Sequence, residues 1–102
     1  GQTITVSYRW AGASPEALER QITAPVEGAL STLTGVRHVR SRSGYQAGYV
    51  VLELDPSADA DALRFEVASL LRQVHPRLPR EAGYPLVRLN TPDEVERRKP
   101  LI

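Results

Sequence analysis

The order in which apolar periodicity changes along this chain restricts its fold more than any single motif. It opens on a strict alternation. In "TITVSYRW" Ile4, Val6, Tyr8 and Trp10 share one face, and Thr3, Thr5, Ser7 and Arg9 share the other. That is a half-buried strand. "AGAS" turns the chain, Ser14 offers an N-cap, and Pro15 takes the first helical position, where its missing N–H costs nothing. The period then lengthens. Leu18, Ile22, Val26, Ala29, Leu30 and Leu33 line one side of a helix that "TG" at Thr34 and Gly35 stops. Pro25 falls inside this helix, where it removes a backbone bond and predicts a kink or interruption.

Two strands follow, "VRHVRSRS" (Val36 to Ser43) and "YVVLELD" (Tyr49 to Asp55), joined by "GYQAG", which has the composition of a hairpin connection. Val50, Leu52 and Leu54 form the inner face of the later strand. Asp59 or Ser57 caps a second helix, in which Leu63, Val67, Leu70, Leu71, Val74 and Leu78 fall within an arc of roughly 100°. Pro76 and Pro79 end it. "YPLVRL" (Tyr84 to Leu89) is a fourth strand, placed at an edge because Pro85 cannot donate to a ladder.

The sum is β-α-β-β-α-β. This order predicts an α+β, ferredoxin-like split β-α-β fold, with a four-stranded antiparallel sheet and two helices on one face. Residues 1–89 would form this unit. Residues 90–102, opening "NTPDEVERRKP", would be a linker or the start of a further subdomain. The tail "VERRKPLI" ends on an apolar pair without a cap or stop, the expectation for a piece of a longer protein, and Gly1 is compatible with a native residue or a tag remnant.

Composition narrows the function. A chain of 102 residues supports one core. With net charge +1, the balance makes no case for nucleic acid and none for an acidic tail. Without cysteine there is no disulfide framework and no thiolate metal site. No apolar run of about 18 residues occurs, so the chain as given does not span a membrane. His38 and His75 are the only histidines and have no ligand-like or triad-like neighbours, and His75 is expected to be solvated. Neither a dinucleotide fingerprint nor a phosphate loop is present. No enzyme, no cofactor and no metal site are expected.

Two surfaces remain. His38, Arg40 and Arg42 alternate onto one face of the second strand. With "SGYQAGYVVLEL" they have some flavour of an RNA-recognition sheet, but Gln46 and Gly48 break that motif and Tyr8 belongs with the core residues. A solvated or partner-covered sheet face is the plainer expectation. A free-standing ferredoxin-like module, RNA-recognition-like or small-ligand sensing, is the alternative function. The other surface lies on the second helix. Asp61, Phe65, Ser69, Arg72 and Pro76 form a stripe opposite the core stripe, so the only phenylalanine points away from the interior. Burying it would recover about 1.5–3 kcal/mol. Symmetry-related copies could pack on an axis with Phe65 as a plug, Ser69 in the seam and Arg72 pairing with Asp61 at its ends.

The run "ITVSYRWAGASPEALERQITAPVEGALSTLTGVRHVRSRSG", then "LELDPSADADALRFEVASLLRQVHPRLP" and the closing "YPLVRLNTPDE", resemble in order and spacing the first porter subdomain of resistance–nodulation–division (RND) efflux transporters. The chain departs from that family at "DPSAD", where an acidic–Gly–Thr run is usual, and at Trp10. The resemblance implies a periplasmic portion of a bacterial inner-membrane protein, within a proton-driven pump for drugs or other small molecules. It implies a homotrimer whose second helix is the pore helix, with Asp61, Phe65, Ser69, Arg72 and Pro76 toward the axis. Other subdomains of the same transporter would cover the sheet face, and a periplasmic adaptor and outer-membrane channel would complete the assembly. No nucleic acid is expected, and the small-molecule substrate would not bind this chain alone. A single helix stripe buries too little for a tight contact, so the isolated chain is expected to be a monomer or weak oligomer.

Overall fold

The computed structural model describes residues 1–91. Strand β1 (Thr3–Arg9) leads through a turn into a helix built from α1 (Pro15–Leu18), a π-helical turn (Glu19–Thr23) and α2 (Ala24–Leu30). Strands β2 (Val36–Ser43) and β3 (Ala47–Leu54) form a hairpin. Helix α3 (Ala60–Val74) ends in a 3-10 turn (His75–Arg77) and is followed by β4 (Leu86–Asn90). The four strands make one sheet in the order β2-β3-β1-β4, and every neighbouring pair is antiparallel. This is the expected ferredoxin-like split β-α-β arrangement. As expected, β4 is an edge strand, but it begins after Pro85 rather than at Tyr84. Of the linker expected at 90–102, residues 92–102 lie outside the described residues, and Asn90 belongs to β4.

The core forms where the predicted faces meet. Ile4, Val6 and Tyr8 of β1 stand beside Leu52, Val50 and Gly48 of β3. Leu18, Ile22, Val26 and Leu30 of the first helix, and Leu63, Val67, Leu71 and Val74 of α3, close over them, all buried. Trp10, Leu33 and Leu70 are half-buried at the margin of this core. Asp59, not Ser57, caps α3, its Oδ1 accepting from the Ala62 N–H at 3.1 Å. Ser57 instead closes the preceding turn, donating from both its backbone N–H and its hydroxyl to Asp55 Oδ1. Those two bonds hold the Asp55 carboxyl below its ordinary range, with Arg37 adding a smaller push in the same direction.

Pro25 acts through the turn before it. The Ala24 N–H donates five residues back to Glu19 O, so the helix widens just ahead of the proline, whose ring would otherwise collide with the preceding turn. The helix then stops at Leu30, four residues before the expected "TG" signal. Gly35, at φ 94°, still performs the reversal into β2, because only glycine takes that conformation freely.

The hairpin differs most from its sequence signature. The connection is shorter than "GYQAG" suggests, and β3 begins at Ala47. Gln46 rather than a glycine takes the positive φ, at 66°. It is held there by three bonds to the β1–α1 turn. Its Oε1 accepts from the Gly12 N–H at 2.7 Å, its N–H donates to Ala13 O, and its C=O accepts from the Trp10 N–H. Gly48 sits inside the strand and is buried. On β2 an extra residue between Val36 and His38 shifts the register. Val36 opposite Leu54 faces the helices, and His38 opposite Glu53 faces away.

Candidate functional site

The outward face of α3 carries the chain's only phenylalanine. Phe65 is 75% exposed, on the side away from Leu63, Val67, Leu71 and Val74. Asp61, Arg72 and Pro76 of the same stripe are exposed, and Ser69 is half-buried. Asp61 is engaged within its own helix, accepting from Arg64 Nη2 at 3.3 Å. His75, expected to be solvated, is half-buried, with its ring centroid 4.4 Å from that of Tyr84 at a tilt of 35°.

The open sheet face is the second surface. The register sets Arg42, Tyr49, Ser7 and Leu86 in one row across the four strands, and Arg40, Val51, Thr5 and Arg88 in the next. His38, Glu53, Thr3 and Asn90 form a third. His38, Arg40 and Arg42 therefore do share one exposed face. Arg40 Nε lies 3.8 Å from Glu53 Oε2, an exposed pair that contributes little to stability. At the Arg42 end a cleft of about 620 Å³ opens, flanked by Arg9, Arg42, Tyr49, Tyr84 and Leu86. Tyr8, the other strand aromatic, is only 3% exposed and cannot serve as a stacking platform.

Sequence reasoning missed a chain of hydroxyls that runs from the core outward under the π-helical turn. The Tyr8 OH donates to Thr23 Oγ1 at 2.8 Å, Thr23 Oγ1 lies 2.7 Å from Ser43 Oγ, and Ser43 Oγ donates to Glu19 Oε1 at 2.8 Å. The single Ser43 proton is committed to the carboxylate, so Thr23 must donate to Ser43, and all three protons point outward toward Glu19. Ser41 Oγ likewise donates to Glu27 Oε1 at 2.7 Å. Two carboxylates of the first helix thus clamp the polar inner edge of β2. The signal was available: Thr23 falls roughly 20° beyond Leu30 on the helix wheel, at the border of the apolar stripe.

Burial, partly opposed by the Thr23 bond and reinforced by Glu19 and Glu27, pushes the Tyr8 phenol up to about 12. The folded protein then holds this proton where the unfolded chain, with an ordinary value near 10, releases it. The resulting stability is complete below about pH 10 and is lost as pH rises through about 12, a fall of about 2–3 kcal/mol. Denaturant unfolding across that window should show it, and Tyr8→Phe should lose less over the same range.

The AcrB/AcrD/AcrF family profile matches residues 2–96. The chain belongs to that family. It is 37% identical over 82 residues to the swarming motility protein SwrC of Bacillus subtilis, covering 80% of this chain and 8% of that protein. It is 32% identical over 76 residues to the multidrug resistance protein MdtC of Yersinia enterocolitica, covering 74% and 7%. The nickel and cobalt resistance protein CnrA of Cupriavidus metallidurans is 35% identical over 66 residues, covering 65% and 6%. The chain therefore spans less than a tenth of the length of these relatives. They are transporters of the RND family, as the sequence motifs suggested, and the family is one of transporters rather than enzymes. No helix among the described residues is long and apolar enough to cross a membrane.

Proposed function

We propose that this chain is a periplasmic porter subdomain, the first of its transporter, in a proton-driven RND pump that exports drugs or other small molecules. Helix α3 acts as the pore helix. Three copies meet at the axis of the trimer through Asp61, Phe65, Ser69, Arg72 and Pro76. The open sheet face with His38, Arg40 and Arg42 packs against other subdomains of the same transporter, and the cleft beside Tyr49 and Tyr84 is filled by them. A periplasmic adaptor and an outer-membrane channel continue the export path. The subdomain's role is mechanical: a rigid sheet-and-helix unit transmits movement while supplying one third of the pore lining.

One observation carries this reading. A 75% exposed Phe65 stands opposite the buried stripe of a helix that is already fully packed on its other side. An isolated exposed phenylalanine is ordinary, but membership of a transporter family supports reading this one as a contact residue. In the full-length protein, Phe65→Glu should place three carboxylates together at the axis, where like charges in a desolvated contact repel strongly. The expected result is at least a tenfold loss of resistance to exported compounds, with the detergent-solubilised protein falling below three subunits. Unchanged resistance and an intact trimer would count against α3 as the contact.

A further inference from the structure

We propose that the acidic run at 92–96, outside the described residues, returns over the open sheet face as a strap along β1, with Glu96 paired to Arg88. The contact is internal to the chain and independent of α3 meeting copies of itself. It leaves the half of the face with His38, Arg40 and Arg42 to other subdomains. A groove of about 460 Å³ runs along this face between Asn90 and Leu86. Thr5 and Ser7 of β1 form its floor, Arg88 and Leu86 of β4 one wall, and Tyr49 of β3 the other. The walls stand two strand spacings apart, about 10 Å, which admits one extended chain. The small hydroxyls of the floor let a backbone approach and bond to it. The charges on the face are unbalanced. Glu53 is the only carboxylate in the four described strands, and it already lies beside Arg40. Arg88 is exposed, and its guanidinium has no hydrogen-bond or ion-pair partner among the described residues. Just past the Asn90 end of the groove the sequence supplies three carboxylates in four positions, Asp93, Glu94 and Glu96.

The path follows from turn chemistry and alternation. In "NTPDE", Pro92 and Asp93 suit the two central positions of a type I turn. Such a turn sets Glu94 beside Thr91. Two further residues carry Glu96 about 7 Å back along the sheet, within one residue's rise of Arg88. Alternation then directs Glu94 and Glu96 to the β4 wall and Val95 to the β3 wall, toward Val51, which pairs with Thr5. The competing path is a fifth strand paired to β4 through the same turn. It would set Arg97 directly opposite Arg88, and it would turn Glu96 and Arg98 to the helix side beside the half-buried Leu89 and Val87. Opposed like charges and charges on an apolar face both disfavour it. A type I turn also splays hairpin strands apart. After Glu96 come Arg97, Arg98 and Lys99, which meet a face with no further carboxylate, so the contact ends at Glu96.

The chain has no cysteine, so introduced thiols are the only ones in this segment. Full-length protein, with any cysteines elsewhere replaced, carries Val51→Cys and Val95→Cys and is mildly oxidised in the membrane. Free thiols are counted by the gel shift of a polymer-linked maleimide, before and after reduction. The expected result is a monomer-sized chain that takes up the polymer only after reduction. Adding Arg88→Glu should lower the bridged fraction about threefold to tenfold, and adding Glu94→Arg and Glu96→Arg to that variant should restore it. Arg88→Gln, which removes the attraction without adding repulsion, should give a smaller fall and serves if Arg88→Glu misfolds. No bridging in protein of normal abundance would overturn the strap and leave the groove to a neighbouring subdomain. Bridging indifferent to both Arg88 variants would overturn the pairing with Glu96.

Discussion

Gly48→Ala should destabilise the fold by about 1–3 kcal/mol, and Gly48→Val by more, although no turn or unusual dihedral demands glycine there. The cause is close approach. A Cβ at position 48 would lie 2.7 Å from the Arg42 carbonyl oxygen, 2.7 Å from Leu18 Cδ2 and 3.0 Å from Tyr8 Cε1. The leucine tip can rotate. The carbonyl belongs to the neighbouring strand and can move only by opening the β2–β3 ladder. For a chain of this size the melting temperature should drop by about 10–20 °C at the upper end of that range. Gly28→Ala is the matched control. It lies in α2 with nothing within 4 Å of an added Cβ, so alanine should stabilise by about 0.5–1 kcal/mol through helix propensity. Equal melting temperatures for the two variants would show that the strands do not approach as closely as described.

Thr23→Val should produce the second large loss. Valine matches threonine in shape but has no hydroxyl, so packing at this wholly buried position is preserved and only the hydrogen bonds are lost. The Tyr8 OH then has no acceptor in the core, and Ser43 loses the donor that fixes its orientation. Leaving a buried hydroxyl unpaired costs about 1–3 kcal/mol. Tyr8→Phe in the Thr23→Val background should recover much of that, because it removes the stranded group rather than its partner. Double-mutant unfolding curves measure this directly. If the double variant is less stable than Thr23→Val alone, the tyrosine hydroxyl is satisfied some other way, and the outward-directed chain to Glu19 is not what holds it.

These two residues also mark where the sequence stops being legible. The order of elements, the sheet faces, the buried stripes of both helices and the outward position of Phe65 all follow from local periodicity, which one chain segment carries by itself. Gly48 does not. Beside Gly44 and Gln46 its composition suggests a turn, and only the approach of Leu18, Tyr8 and Arg42 from three other segments explains it. The same holds for Thr23, whose partners lie fifteen and twenty positions away on β1 and β2. Pro25 announced an interruption, but whether the helix kinks or widens depends on how Glu19 and Thr23 are used against the sheet. On α3, the stripe was readable because a helix has only two sides. The groove along β1 was not, because its walls come from β3 and β4, whose register no single segment records.

Whether α3 meets copies of itself can be measured with spin labels attached at Phe65→Cys in the full-length protein. Packed helices lie 8–10 Å apart, so labels on their facing sides should give a single short distance of roughly 10–20 Å between subunits. A label moved to Arg64→Cys, off the stripe, should give a longer one. If the position-65 labels are no closer than those at position 64, or show no dipolar coupling at all, the outward face of α3 does not line a shared axis.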